Sequence, residues 1–106
     1  MPKYLDSVLR ALADPTRRAV VEHLGRGPAA VGALAAPFKM ALPSFLQHLR
    51  VLEDCGLVKS RKKGRVRTYR VAPRPLKTLT HWLDRQRSLW ERRLDRLDTY
   101  LKENPE

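Results

Sequence analysis

The sequence predicts a mainly α chain with one small β-hairpin, in the order α-α-α-α-β-β-α. Three observations predict it. Apolar residues recur at helical spacing in four successive stretches before residue 56. Two alternating stretches then flank a basic turn containing a glycine. Beyond two prolines, apolar residues at 3–4 spacing run almost to the C-terminus. At 106 residues the chain is read as a single domain, residues 1–106.

Taken in order, residues 4–13 place Tyr4, Leu5, Val8, Leu9 and Leu12 on one stripe. Asp14-Pro15 then separates two helices, with Asp14 able to cap and Pro15 suited to a first helical position. The second helix, residues 16–24, buries Ala19, Val20 and Leu24, and turns Arg17, Arg18 and Glu22 outward. Gly25-Arg26-Gly27-Pro28 stops it. A short third helix, residues 30–35, is anchored by Val31 and Leu34. Pro37-Phe38-Lys39 is the turn leaving it.

The fourth helix covers residues 42–55. Phe45, Leu49 and Leu52 lie at i, i+4 and i+7 and face the core, while Pro43, Gln47, Arg50 and Asp54 look away. Gly56 occupies the left-handed position after the helix. Strands are expected over 57–61 and 66–71, around the turn Lys62-Lys63-Gly64-Arg65, with Gly64 at positive φ. Pro73 and Pro75 break the chain. A last helix, residues 76–102, repeats Leu76, Leu79, Leu83, Trp90, Leu94, Leu97 and Leu101 as a near-heptad seam.

The net charge is +11, and its placement carries the functional argument. Residues 1–74 hold fifteen Lys/Arg against five Asp/Glu, a balance of +10. Residues 75–106 hold seven against six, a balance of +1. Such local excess is the electrostatic footprint of a polyanion-binding surface. The hairpin concentrates it: Lys59, Arg61, Lys62, Lys63, Arg65, Arg67, Arg70 and Arg74 occur with no acid among them. Helices three and four, joined by a short turn, fit a helix-turn-helix whose second helix enters the DNA major groove. Ser44, Gln47, His48 and Arg50 are the candidate DNA-binding residues of that helix. Lys62, Lys63, Arg65 and Arg67 are the candidates in the hairpin, where charge supplies affinity without sequence choice. His48, at the edge of the core face, reads first as a hydrogen-bonding structural residue and second as a contact to DNA phosphate.

These residues resemble a known family. MALPSFLQHLRVLEDCGLV is similar to the helix-turn-helix of ArsR-type winged helix-turn-helix repressors. LADPTRRAVVEHL resembles their second helix and GRVRTYRV their wing. The Trp-bearing last helix, WLDRQRSLWERRLDRLDTYL, resembles a branch without metal-binding cysteines. The resemblance implies a homodimer formed through the first and last helices, residues 4–13 and 76–102. Its interface would include Tyr4, Leu5, Val8, Leu79, Leu83, Trp90, Leu94 and Leu97. It also implies repression by binding double-stranded DNA at a pseudo-palindromic operator. Two positions depart from the family pattern. Ala41 stands where a small hydroxyl residue is common, and Leu46 where a second serine is often seen. Both remove polar contacts, and Leu42 and Leu46 could touch a thymine methyl instead.

Other functions find less support. The stretch AVGALAAPF has no Cys, His or acid where metal-sensing relatives carry cysteines, and His81 with Asp84 is too small a ligand set. No metal or cofactor is expected. No nucleophile–base set, phosphate loop or acid pair points to an enzyme. No apolar run could span a membrane, no signal peptide is evident, and one cysteine, Cys55, fits a reducing cytoplasm. Two alternatives share the basic surface: a non-specific nucleic-acid-binding protein, nucleoid- or RNA-associated, and a winged-helix protein-interaction module.

Overall fold

The computed structural model describes residues 3–105, with side chains from Leu5 to Pro105. The elements are α1 (Lys3–Leu12), α2 (Pro15–Leu24), β1 (Ala29–Ala30), α3 (Val31–Ala35), α4 (Leu42–Asp54), β2 (Val58–Lys63), β3 (Val66–Val71) and α5 (Pro73–Glu103). The chain forms two compact units, up to Leu76 and from Lys77 onward.

In the first unit, helices and sheet share one apolar core. Phe45, Leu49 and Leu52 of α4 are fully buried, as the spacing predicts. They join Leu5, Val8 and Ala11 of α1, Val20 and Leu24 of α2, Leu34 of α3, and Leu57, Val58 and Tyr69 from the sheet region. Each large side chain removed from water in this way contributes about 1.5–3 kcal/mol. α1 packs against α2 and α4, which is why Leu5 and Val8 are enclosed within the chain.

The turns follow their residues. Asp14 caps α2: its Oδ2 accepts the Arg17 backbone N–H at 3.0 Å, and Pro15 begins the helix. α4 starts from Ala41, extended at φ −64° and ψ 144°, without a side-chain cap. It ends at Gly56, whose φ of +82° favours glycine. Gly64 has φ +63° and Arg65 has no positive φ, so Gly64-Arg65 is a two-residue turn of the II′ pattern.

The structure corrects four expectations. A third strand exists, giving a three-stranded antiparallel sheet in the order β1-β3-β2, with Ala29 opposite Tyr69 and Ala30 opposite Thr68. Two alanines have little strand preference of their own, and the pairing with β3 makes them one. β2 extends to Lys63, which narrows the turn to two residues. Pro73 and Pro75 open α5 rather than breaking the chain before it, since a first-turn proline lacks only an N–H that has no helical partner. Arg17 turns inward, for the reason given next.

Candidate nucleic-acid interface

Ser44, Gln47 and Arg50 lie at i, i+3 and i+6 of α4, and all three are exposed. Leu42 and Leu46 stand beside them, 51% and 39% exposed. The outer side of α4 is therefore a polar row with apolar neighbours, opposite the buried Phe45, Leu49 and Leu52.

His48 is placed differently from the other three candidates. It is half-buried, with Nδ1 3.1 Å from Arg17 Nη1. A guanidinium only donates, so Nδ1 accepts and the ring proton sits on Nε2. Arg17 also donates from Nε to the Ala11 carbonyl at 2.7 Å and from Nη2 to the Arg10 carbonyl at 3.1 Å. Both carbonyls lie in the last turn of α1, where that of Arg10 also accepts the Ala13 N–H at 3.2 Å. One side chain thus closes α1, begins α2 and holds α4. This is why an arginine that helical periodicity turns outward sits half-buried instead. Asp14 lies 3.8 Å from His48 Nδ1, too long for a hydrogen bond. Its carboxyl is held below the usual carboxylate range, chiefly by the Arg17 backbone N–H, with burial opposing and the nearby Arg17 guanidinium assisting.

A second linkage ties the hairpin to α4. Arg67 Nη1 donates to Ser60 Oγ at 2.8 Å, and Ser60 Oγ donates to Glu53 Oε2 at 3.2 Å. Ser60 faces Tyr69 across the strands. Burial, then the Glu53 charge, pushes the Tyr69 hydroxyl above its ordinary value, with the Arg67 charge opposing. Glu53 therefore joins the last turn of α4 to both long strands. Sequence reading missed Glu53 and Ser60 because their roles depend on strand register.

Lys62, Lys63 and Arg65 are exposed, as is Arg67 despite its bond to Ser60. Strand alternation divides the hairpin's cations between two faces. Lys62 and Arg67 are directly opposite each other on the face that carries Ser60 and Tyr69, while Lys59, Arg61 and Arg70 occupy the other face.

The expected interface residues divide as well. The Tyr4 side chain lies outside the described residues. Leu5 and Val8 are both 0% exposed in the single chain, enclosed where α1 meets α2 and α4. On α5, Leu79 is half-buried, while Leu83, Trp90, Leu94 and Leu97 are 50% to 59% exposed.

A model described as a helix-turn-helix domain matches residues 12–61, which run from the end of α1 through α4 into β2. The HTH-type transcriptional regulator Rv2034 of Mycobacterium tuberculosis is 45% identical over 89 residues, covering 84% of this chain and 80% of that protein. The crystal structure of an ArsR family transcriptional regulator, RHA00566, superposes with a TM-score of 0.81 at 50% identity, over 86% of this chain and 94% of that one. The chain belongs to the ArsR family of transcriptional regulators. An ArsR-like transcriptional regulator from Rhodococcus sp. RHA1 is also similar, with a TM-score of 0.77 and 34% identity over 92% of each chain.

As an ArsR family regulator, the chain has the expected winged helix-turn-helix: α3 and α4 are the helix pair and β2-β3 the wing. Among the described residues, no three His, Cys, Asp or Glu side chains cluster to hold a metal ion. Cys55 donates to the Leu52 carbonyl at 3.4 Å, and burial pushes its thiol up, which disfavours the reactive thiolate. Among the described residues, no helix is long and apolar enough to cross a membrane.

Proposed function

We propose that this ArsR family regulator is a homodimeric repressor that binds a pseudo-palindromic operator in double-stranded DNA. The observation that carries the reading is the pairing of α4's exposed Ser44, Gln47 and Arg50 with a wing that holds no acid and is tied to α4 through Glu53 and Ser60. α4 enters the major groove and reads base edges, with Gln47 and Arg50 as the side chains suited to adenine and guanine. Lys62, Lys63, Arg65 and Arg67 grip the flanking phosphates. His48 supports α4 from behind through Arg17, and adds at most a backbone contact. Leu83, Trp90, Leu94 and Leu97 of α5 supply the seam between two copies. Two copies meet half-sites about 34–36 Å apart.

Selection of bound sequences from a random duplex pool tests this. An inverted repeat should emerge and should bind on the order of a thousandfold more tightly than bulk duplex. Equal affinity for all duplexes would instead identify a non-specific nucleic-acid binder.

A further inference from the structure

At the base of the wing, between the end of α4 and the start of α5, a cavity of about 410 Å³ is lined by Gly56, Lys59, Ala72, Pro73, Arg74 and Pro75. We infer that this cavity is a binding site for a small amphipathic carboxylate, an aromatic or branched acid with a single negative charge. The volume lies in the range of small-molecule sites, roughly 300–1,000 Å³. Its walls are mostly apolar: Ala72 and Pro75 are buried, with Pro73 and Gly56 beside them. Lys59 and Arg74 are its charged members, and no acid lines it among the described residues. Arg70 stands directly across the strands from Lys59 and adds to the positive potential.

The site is held in shape before anything binds. The Ala72 N–H donates to the Leu57 carbonyl at 2.8 Å, which closes the base of the wing. Pro73 and Pro75 have fixed φ. Gly56 sits at φ +82°, and a Cβ there would lie 3.7 Å from Pro75 Cγ. The proline walls also choose the anion. Neither ring nitrogen carries a proton, so the backbone donors that cradle a phosphate are depleted here. A monoanion on an apolar body matches what remains: a mostly apolar lining with Lys59 as an exposed cation. Lys59 is outside the set assigned to the operator, and the site's test uses no DNA, so the two readings stand or fall separately.

The experiment is a titration of the full, uniformly 15N-labelled chain with sodium 2-naphthoate, followed by amide chemical shifts. The amides of Gly56, Lys59 and Ala72 should move together and saturate at millimolar concentrations. Lys59→Gln, an exposed change that leaves the core intact, should weaken binding about threefold to fivefold. The neutral analogue 2-naphthylmethanol should bind the wild type more weakly by a similar factor. Shifts confined to the exposed apolar residues of α5 would overturn the inference. So would equal binding by Lys59→Gln, or equal binding of the neutral analogue.

Discussion

Arg17 Nη1 lies 3.1 Å from His48 Nδ1, which joins the start of α2 to the middle of α4. The same guanidinium satisfies the Ala11 and Arg10 carbonyls. Removing it takes the side-chain donor from the Ala11 carbonyl and from His48 Nδ1, while the Arg10 carbonyl keeps the Ala13 N–H. Arg17→Ala should cost about 1–3 kcal/mol, seen as a lower urea midpoint with an unchanged slope. Arg17→Lys should not restore it, because an ammonium cannot span three acceptors with the geometry of the fork. A wild-type midpoint in Arg17→Ala would mean these bonds contribute nothing net.

Asp14 predicts an acid-sensitive component of stability. Its folded pKa is depressed, chiefly because the Arg17 N–H binds the charged form. A depressed pKa means the contribution is present above the unfolded value, about 4, and is lost as pH falls through the lower folded value. Asn caps a helix as well as Asp but has no charge to lose. Asp14→Asn should therefore keep its stability near neutral pH and lose less than the wild type on acidification. Urea midpoints at about pH 6 and about pH 3 decide it. Parallel losses in both proteins would assign the acid sensitivity to other groups.

Gln47 is exposed on α4, and the proposed function gives it a base edge to read. Gln47→Ala should relax preference at one position of each half-site, by about 1–3 kcal/mol. An unchanged selected sequence would remove Gln47 from the reading set.

The wing should behave as a salt-dependent clamp without sequence preference. Lys63→Ala and Arg65→Ala should each weaken binding to operator and random duplex alike. Each should also reduce the slope of log K against log salt by roughly 0.9 for every phosphate the variant no longer neutralises. Arg67→Ala should have an additional effect, because Arg67 also bonds Ser60, which bonds Glu53. Its melting temperature should fall where those of the other two do not.

On α5, Leu83 and Trp90 are 50% and 58% exposed in the single chain. Leu83→Glu or Trp90→Glu should give monomers in sedimentation velocity while leaving helical circular dichroism intact. A persistent dimer would place the seam elsewhere.

Much of this fold is legible in the sequence because local rules and tertiary packing agree. Phe45, Leu49 and Leu52 repeat at helical spacing and are buried. Asp14-Pro15 and Gly64 fill positions that only a few residue types suit. Where the two disagree, the sequence misleads. Arg17 reads as a surface charge, and only the neighbouring end of α1 and the middle of α4 draw it in. Leu5 and Val8 form an apolar stripe, but a stripe does not say whether its partner is α2 and α4 or a second protomer. Ala29 and Ala30 become a strand only because β3 passes beside them. The cations of the wing are countable in the sequence, yet their division into two faces needs the register that sets Lys62 opposite Arg67.

That register has a thermodynamic consequence. Lys59 faces Arg70 and Lys62 faces Arg67, so cation meets cation at two rungs of one small ladder. Like charges directly opposite weaken a sheet, and dissolved ions screen them. A bound polyanion provides the same relief more locally. In a salt series the free regulator should melt at higher temperature as ions are added, while its grip on DNA loosens. Ordinary electrolyte and nucleic acid thus compete to relieve the same repulsion, and the protein is least comfortable when it has neither.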